Sequence, residues 1–188
     1  MKTKTREEWL MLASKEMFKS IFAKENVPSY RVSCGLPTRN AFSKRKRTIG
    51  ICFSAEASKD KHHEIFISPT LSEAFEVLDC LAHELIHAIV GTKEGHGGAF
   101  RRLAKEIGFQ GKMTQTTAGP ELAERLNVIH KKLGDYPHSK LDGLKLDIKK
   151  QGTRLIKLEC HDCGYILRTT AKWIEVGHPT CCCGGDFE

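Results

Sequence analysis

The stretch that most constrains this chain is residues 83–87, which have the sequence HELIH and form an H-E-x-x-H motif. Apolar residues recur around the motif at helical spacing, so we predict a helix over residues 73–90 with one buried face. In such a helix the imidazoles of His83 and His87 lie one turn apart on the same side and can reach a single ion. Glu84 then lies beside that ion.

These residue types are the ones that a hydrolytic zinc site requires. Neutral imidazole nitrogens bind zinc, one coordination position stays open for water, and a carboxylate can take the proton of that water. We therefore predict His83 and His87 as zinc ligands and Glu84 as a catalytic base.

The third zinc ligand has two candidates. His96 lies between glycines, nine residues after His87, and imidazole suits zinc. Glu106, nineteen residues after His87, would give a layout like that of the thermolysin-type peptidases. The metzincin layout fails, because Val90 and Lys93 hold the positions where it needs glycine and histidine. We prefer His96 and keep Glu106 as the alternative.

The remaining pattern up to residue 134 predicts a mixed α and β fold. Thr5 and Glu8 fit a capping box that opens a helix running to about residue 25. Ser72 is expected to cap the start of the motif helix, and Gly91 its end. Three runs have the alternation of half-buried strands: residues 30–34, 49–53 and 65–67. Two later segments have helical periodicity: residues 99–107 and 120–133.

A second metal site is indicated by the cysteines, five of which crowd into residues 160–183. Cys160 and Cys163 form a C-x-x-C-G knuckle, whose turn brings two sulfurs onto one ion. From the three consecutive cysteines that follow, we choose Cys181 and Cys183 as the other ligands. The less favoured substitutes are Cys182, His161 and His178. We predict a zinc ribbon, and hence one catalytic and one structural Zn²⁺ per chain.

The domain organisation follows from these sites and from one weakly patterned segment. Residues 135–152 contain Pro137, scattered charge and little periodicity. We predict a metal-site domain over residues 1–134, a linker over residues 135–152 and the ribbon over residues 153–188.

The positive charge of the chain is concentrated at its N-terminal end. The net charge is +7, and residues 1–60 hold 13 basic and 6 acidic side chains. A polar loop carries the most basic point of the chain. Its cations are Arg39, Lys44, Arg45, Lys46 and Arg47. The loop is either a solvated hairpin tip or a contact for phosphates, and we name its cations as candidate nucleic-acid contacts.

Neither a signal peptide nor a membrane span is expected. Charged residues interrupt the first 25 positions, and no later stretch is long and apolar enough to cross a bilayer. We expect a soluble cytoplasmic protein with no membrane partner, associated with the nucleoid if DNA is its partner.

The HELIH motif, followed by Gly95, His96 and Gly97 and then by a C-x-x-C-G ribbon, resembles the SprT-like family, relatives of the Spartan DNA-dependent proteases. The likeness is strongest to the bacterial and phage branch. It implies an α+β fold with a compact zincin-like metallopeptidase unit, made of an N-terminal helix, a small sheet, the HExxH helix and following helices, and a C-terminal zinc ribbon. It also implies His83, His87 and His96 as ligands, Glu84 as catalytic base, and association with DNA or with proteins bound to it.

The motifs and the resemblance are compatible with two functional hypotheses. The first is a zinc endopeptidase that cleaves proteins at or near DNA. The alternative is a DNA-binding accessory factor that retains the metal site for structure and cleaves little. Glu84 favours the first hypothesis, because a purely structural zinc site needs no base.

Overall fold

The computed structural model describes residues 5–43, 47–142, 145 and 155–188. It has a mixed α and β architecture and divides into two compact units, Met1–Lys145 and Leu146–Glu188. None of the helices in the described ranges combines the length and the apolarity that a membrane span requires.

The first helix, α1 (Arg6–Ser20), begins at the predicted capping box. The hydroxyl of Thr5 accepts a hydrogen bond from the Glu8 backbone N–H, and the Glu8 carboxylate accepts one from the Thr5 N–H. The helix ends about five residues earlier than predicted. At its end the N–H groups of Ile21 and Phe22 both donate to the Met17 carbonyl, which closes the last turn.

A three-stranded sheet follows, with strands β1 (Tyr30–Cys34), β2 (Gly50–Phe53) and β3 (His63–Ile67). β3 lies in the centre, parallel to β1 and antiparallel to β2, so β2 is an edge strand. A 3-10 turn, Ala55–Ala57, lies between β2 and β3. The three predicted strands are therefore confirmed, and β3 begins earlier than expected, at His63.

The motif helix is α2 (Ala74–Val90), and it packs on β2 and β3. Glu73, rather than the predicted Ser72, occupies its N-cap position, without a side-chain cap bond. Gly91 ends the helix with a φ of 90°, a conformation that favours glycine. The rest of the first unit contains a short 3-10 turn (Thr92–Glu94), α3 (Gly98–Ile107), a hairpin of β4 (Phe109–Lys112) and β5 (Gln115–Ala118), and α4 (Pro120–Leu133).

One apolar core joins α1, α2, α3 and α4 in the first unit. Its fully buried side chains include Trp9, Leu10, Leu78, Leu85, Phe100 and Leu122. Trp9 also donates its indole N–H to the Gly134 carbonyl at 3.1 Å, and its ring lies 5.1 Å from that of Tyr136. The segment that begins the expected linker thus packs on the first unit. Residues 143–144 and 146–152 of that linker lie outside the described residues.

The second unit is small and contains little apolar core. It has an antiparallel pair, β6 (Ile156–Glu159) and β7 (Ile166–Thr169), and a six-residue helix, α5 (Ala171–Val176). In its described part, residues 155–188, the buried hydrophobic side chains are Leu158, Cys160, Cys181 and Phe187. Two of these four are cysteines, so burial contributes little stability and a metal ion is the expected source of the rest.

Candidate metal centres

The two motif histidines lie on one side of α2, as the helical spacing predicts. Their ring centroids are 5.2 Å apart. His87 is buried and His83 is partly buried, because α2 presents this side to the rest of the first unit. The i, i+4 spacing therefore produces a pair of adjacent imidazoles.

His96 joins this pair because the chain turns back after α2. Gly91 and Gly95 both have positive φ, and the 3-10 turn lies between them. The Nε2 atom of His96 lies 3.2 Å from the Nε2 atom of His83, and its ring centroid is 4.7 Å from that of His87. The alternative ligand, Glu106, is exposed and lines a different cavity, between α3 and the end of α1.

The spacing of the three imidazoles suits zinc. One ring nitrogen from each histidine lies within 4.8 Å of the others. Two nitrogens that are each about 2.0–2.1 Å from a tetrahedral zinc lie roughly 3.3 Å apart, close to the separation of the His83 and His96 nitrogens.

The histidines are also in the protonation state that a metal requires. Burial, together with the neighbouring imidazoles, lowers the pKa of His83 to about 3 and that of His87 to about 4. Burial also lowers the pKa of His96. At neutral pH all three rings are therefore uncharged, and each can offer a nitrogen lone pair.

Glu84 lies beside the histidines in a poorly solvated position. It is 6% exposed, and burial raises its pKa to about 8. Strand β2 approaches this carboxylate closely at Gly50. A Cβ at position 50 would lie 2.6 Å from both Glu84 Oε1 and Cys80 Sγ, so any larger residue would displace them. Gly50 thus makes room for the carboxylate, a role that its sequence context gave no means of recognising.

The ring of Phe100 packs against all three imidazoles. It is fully buried on α3, and its ring centroid lies 4.9 Å from His83, 4.5 Å from His87 and 4.9 Å from His96. The sequence indicated only that this position is apolar. Its contact with the histidines depends on the fold.

The three histidines and Glu84 line an open cavity of about 380 Å³. Strand β2 forms one wall and residues 114–116 form part of another. The histidines and Glu84 are therefore accessible from this cavity.

Four cysteine sulfurs meet in the second unit. Cys160 Sγ lies 3.5 Å from Cys183 Sγ, and Cys163 Sγ lies 3.5 Å from Cys181 Sγ. Sulfurs about 2.3 Å from a tetrahedral zinc are roughly 3.8 Å apart, so this cluster also suits zinc. Cys182 is exposed and does not belong to the four-sulfur group.

Glycine closes each of the two cysteine pairs. The Gly164 N–H donates to the Cys160 carbonyl and the Gly184 N–H donates to the Cys181 carbonyl, both at 2.9 Å. Both glycines have positive φ, so each turn brings its two sulfurs to the same side. These turns explain the repeated C-G pattern of the sequence.

The structure describes only part of the basic loop. Arg39 and Arg47 are both exposed, and Arg47 lines the cavity that contains the histidines. Lys44, Arg45 and Lys46 lie outside the described residues.

One comparison with known proteins gives a match. The model of the SprT-like family matches residues 7–119, a range that contains the three histidines and Glu84 but not the cysteine cluster. No significant match was found among curated proteins or among solved structures.

Proposed function

The chain belongs to the SprT-like family, because the family model matches more than half of its length, and on this basis we propose that it is a zinc-dependent endopeptidase. We further propose that the first unit is a zincin-like metallopeptidase unit and that the second is a zinc ribbon. The substrates would be proteins at or near DNA.

One observation carries this proposal: a buried carboxylate lies beside three neutral imidazoles at the floor of an open cavity. Three protein ligands leave a tetrahedral zinc with one position for water or substrate, the arrangement of catalytic sites. The cysteine cluster has four protein ligands instead, as structural sites do.

In the proposed peptide hydrolysis, the three histidines and Glu84 have different roles. When bound, zinc supplies a Lewis acid that polarises the scissile carbonyl and lowers the pKa of water. His83, His87 and His96 would hold the ion. Glu84 takes a proton from the attacking water and then delivers one to the leaving amine. The poorly solvated position raises the pKa of Glu84 in the metal-free chain. A zinc ion held by the neighbouring histidines would favour the ionised carboxylate, which is the form that can take the proton.

Association with DNA is proposed from charge. Residues 1–60 carry an excess of positive charge that can attract a polyanion such as DNA. One of these cations, Arg47, lines the cavity that contains the histidines. A substrate protein that is bound to DNA would thereby be held close to the histidines. This proximity raises its effective concentration at the site.

Metal analysis combined with a cleavage assay tests the proposal. We expect native mass spectrometry of the zinc-replete full chain to show two zinc ions. We expect the same sample to cleave a DNA-binding protein faster when DNA is present than when it is absent. A zinc-loaded chain that binds DNA but cleaves no protein would support the accessory-factor alternative. A chain with no zinc at the histidines would contradict both the metal assignment and the enzyme proposal.

A further inference from the structure

The β4–β5 hairpin makes hydrogen-bond contacts with the motif helix at Thr116 and at Ala118. The Thr116 hydroxyl Oγ1 lies 2.8 Å from His83 Nδ1, and the Ala118 backbone N–H donates to Asp79 Oδ1 at 2.9 Å. No residue of this hairpin was among the site residues predicted from the sequence.

The two contacts form together because their spacings match. Asp79 and His83 are one turn apart on α2, about 6 Å along the helix axis. Thr116 and Ala118 are two residues apart on β5, about 7 Å along the strand, and they point to the same face. The Asp79 contact therefore fixes the register of β5 along α2, and this register places the Thr116 hydroxyl at the His83 ring.

The contact with Thr116 is made by Nδ1 of His83, and a hydroxyl oxygen can accept a hydrogen bond from Nδ1–H. A neutral imidazole carries one proton, on either Nδ1 or Nε2, and the other nitrogen holds a lone pair. When Nδ1–H donates to the Thr116 hydroxyl, the lone pair is on Nε2. The Nε2 atom is the one that points at His96, 3.2 Å from its Nε2.

We propose that Thr116 is a positioning residue, which orients the His83 ring and holds its proton on Nδ1 so that Nε2 can bind the metal. This inference rests on the proposed zinc centre of His83, His87 and His96. It adds a residue of the hairpin to that centre. Partners of this kind typically change metal affinity by about 10–100-fold when they are removed.

The test measures zinc affinity at the histidine site in the full-length chain. Thr116→Val keeps the β-branched shape and removes the hydroxyl, whereas Thr116→Ser keeps the hydroxyl. Thr117→Val is the matched control, because Thr117 is exposed and faces the other side of the same strand. Competition with a chelator gives the affinity. Cobalt substitution separates the two sites, since only the cysteine site can show thiolate-to-metal charge transfer.

We expect Thr116→Val to bind zinc about 10–100-fold more weakly at the histidine site, with Thr116→Ser and Thr117→Val close to the original chain. The metal-free variants should unfold at the same temperature. Wild-type affinity in Thr116→Val would overturn the inference and leave the proposed zinc centre intact. A loss of affinity that accompanies a lower unfolding temperature and is not rescued by serine would also overturn it, in favour of a purely structural role. If the original chain binds no zinc at the histidines, the proposed function itself fails.

Discussion

The Nε2 atoms of His83 and His96 lie 3.2 Å apart, although these histidines are thirteen positions apart in the sequence. Helical spacing alone explains why the rings of His83 and His87 are close to each other. The third imidazole reaches them because the chain reverses direction through Gly91 and Gly95, which both adopt positive φ. The loop after α2 therefore completes the candidate zinc centre.

The first prediction concerns the identity of the third ligand. His96→Ala should lose zinc affinity at the histidine site, because only two imidazoles remain to hold the ion. Glu106→Ala is the matched control, since Glu106 is exposed and lines a different cavity. Zinc titration of both variants checks this. Loss of metal in Glu106→Ala with retention in His96→Ala would show that the third ligand is wrongly assigned.

The second prediction concerns the ribbon. Cys160→Ser should remove one of two zinc ions and unfold only the second unit, because a unit with so small a core draws its folding free energy from the metal. Cys182→Ser is the control and should retain both ions, since Cys182 is exposed and lies outside the four-sulfur group. Native mass spectrometry counts the ions, and amide hydrogen exchange locates the unfolding. Exchange throughout both units in Cys160→Ser would argue against a separately folding ribbon.

The third prediction is a pH dependence of stability. Burial raises the pKa of Asp79 from 3.8 to about 6, so the native state holds this proton more tightly than the unfolded chain does. The stability that Asp79 contributes is therefore complete below pH 3.8 and is lost as the pH rises through about 6. Asp79→Asn keeps an oxygen that can accept from the Ala118 N–H and carries no charge to bury.

Asp79→Asn should accordingly stabilise the chain above pH 6, on the order of 1 kcal/mol or roughly 2–4 °C, and this gain should vanish near pH 4. Thermal unfolding of the metal-free chain from pH 4 to pH 8 measures the difference. A gain that is constant with pH, or that grows toward acid, would show that the Asp79 charge is not its cause.

The fourth prediction concerns DNA. Replacing Lys44, Arg45, Lys46 and Arg47 with alanine should weaken DNA binding and reduce its salt dependence by several units, at roughly 0.7–0.9 for each phosphate that the loop neutralises. Its control removes four exposed cations from α3 and β4 instead: Arg101, Arg102, Lys105 and Lys112. Fluorescence anisotropy at several salt concentrations gives both quantities. Unchanged binding in the loop variant, with no binding when residues 153–188 are deleted, would assign DNA recognition to the ribbon.

The sequence predicted those features that depend on local spacing. The capping box of α1, the pairing of His83 with His87 and the C-G pattern of the cysteine pairs each involve residues within a few positions of one another. The predicted end of α1 was about five residues too late, and the predicted N-cap of α2 was one residue too early. Helix ends depend on tertiary packing as well as on local propensity.

The features missed were those without an apolar pattern or with distant partners. Strand β5 is mostly polar and half exposed, so it has no hydrophobic alternation to recognise. Helix α5 has only six residues and buries none of them. Gly50 and Phe100 are ordinary residues in the sequence. They become important only where folding brings them against Glu84 and the three imidazoles.

The most direct test of the proposed zinc peptidase site compares the original chain with Glu84→Gln, measuring zinc content and proteolysis on the same samples. We expect both proteins to hold zinc at the histidines and to unfold alike, because glutamine keeps the shape of the side chain. We also expect cleavage by Glu84→Gln to be at least ~100-fold slower, the usual consequence of losing a general base. Cleavage by the zinc-loaded variant at the original rate would contradict the role of Glu84 as the base.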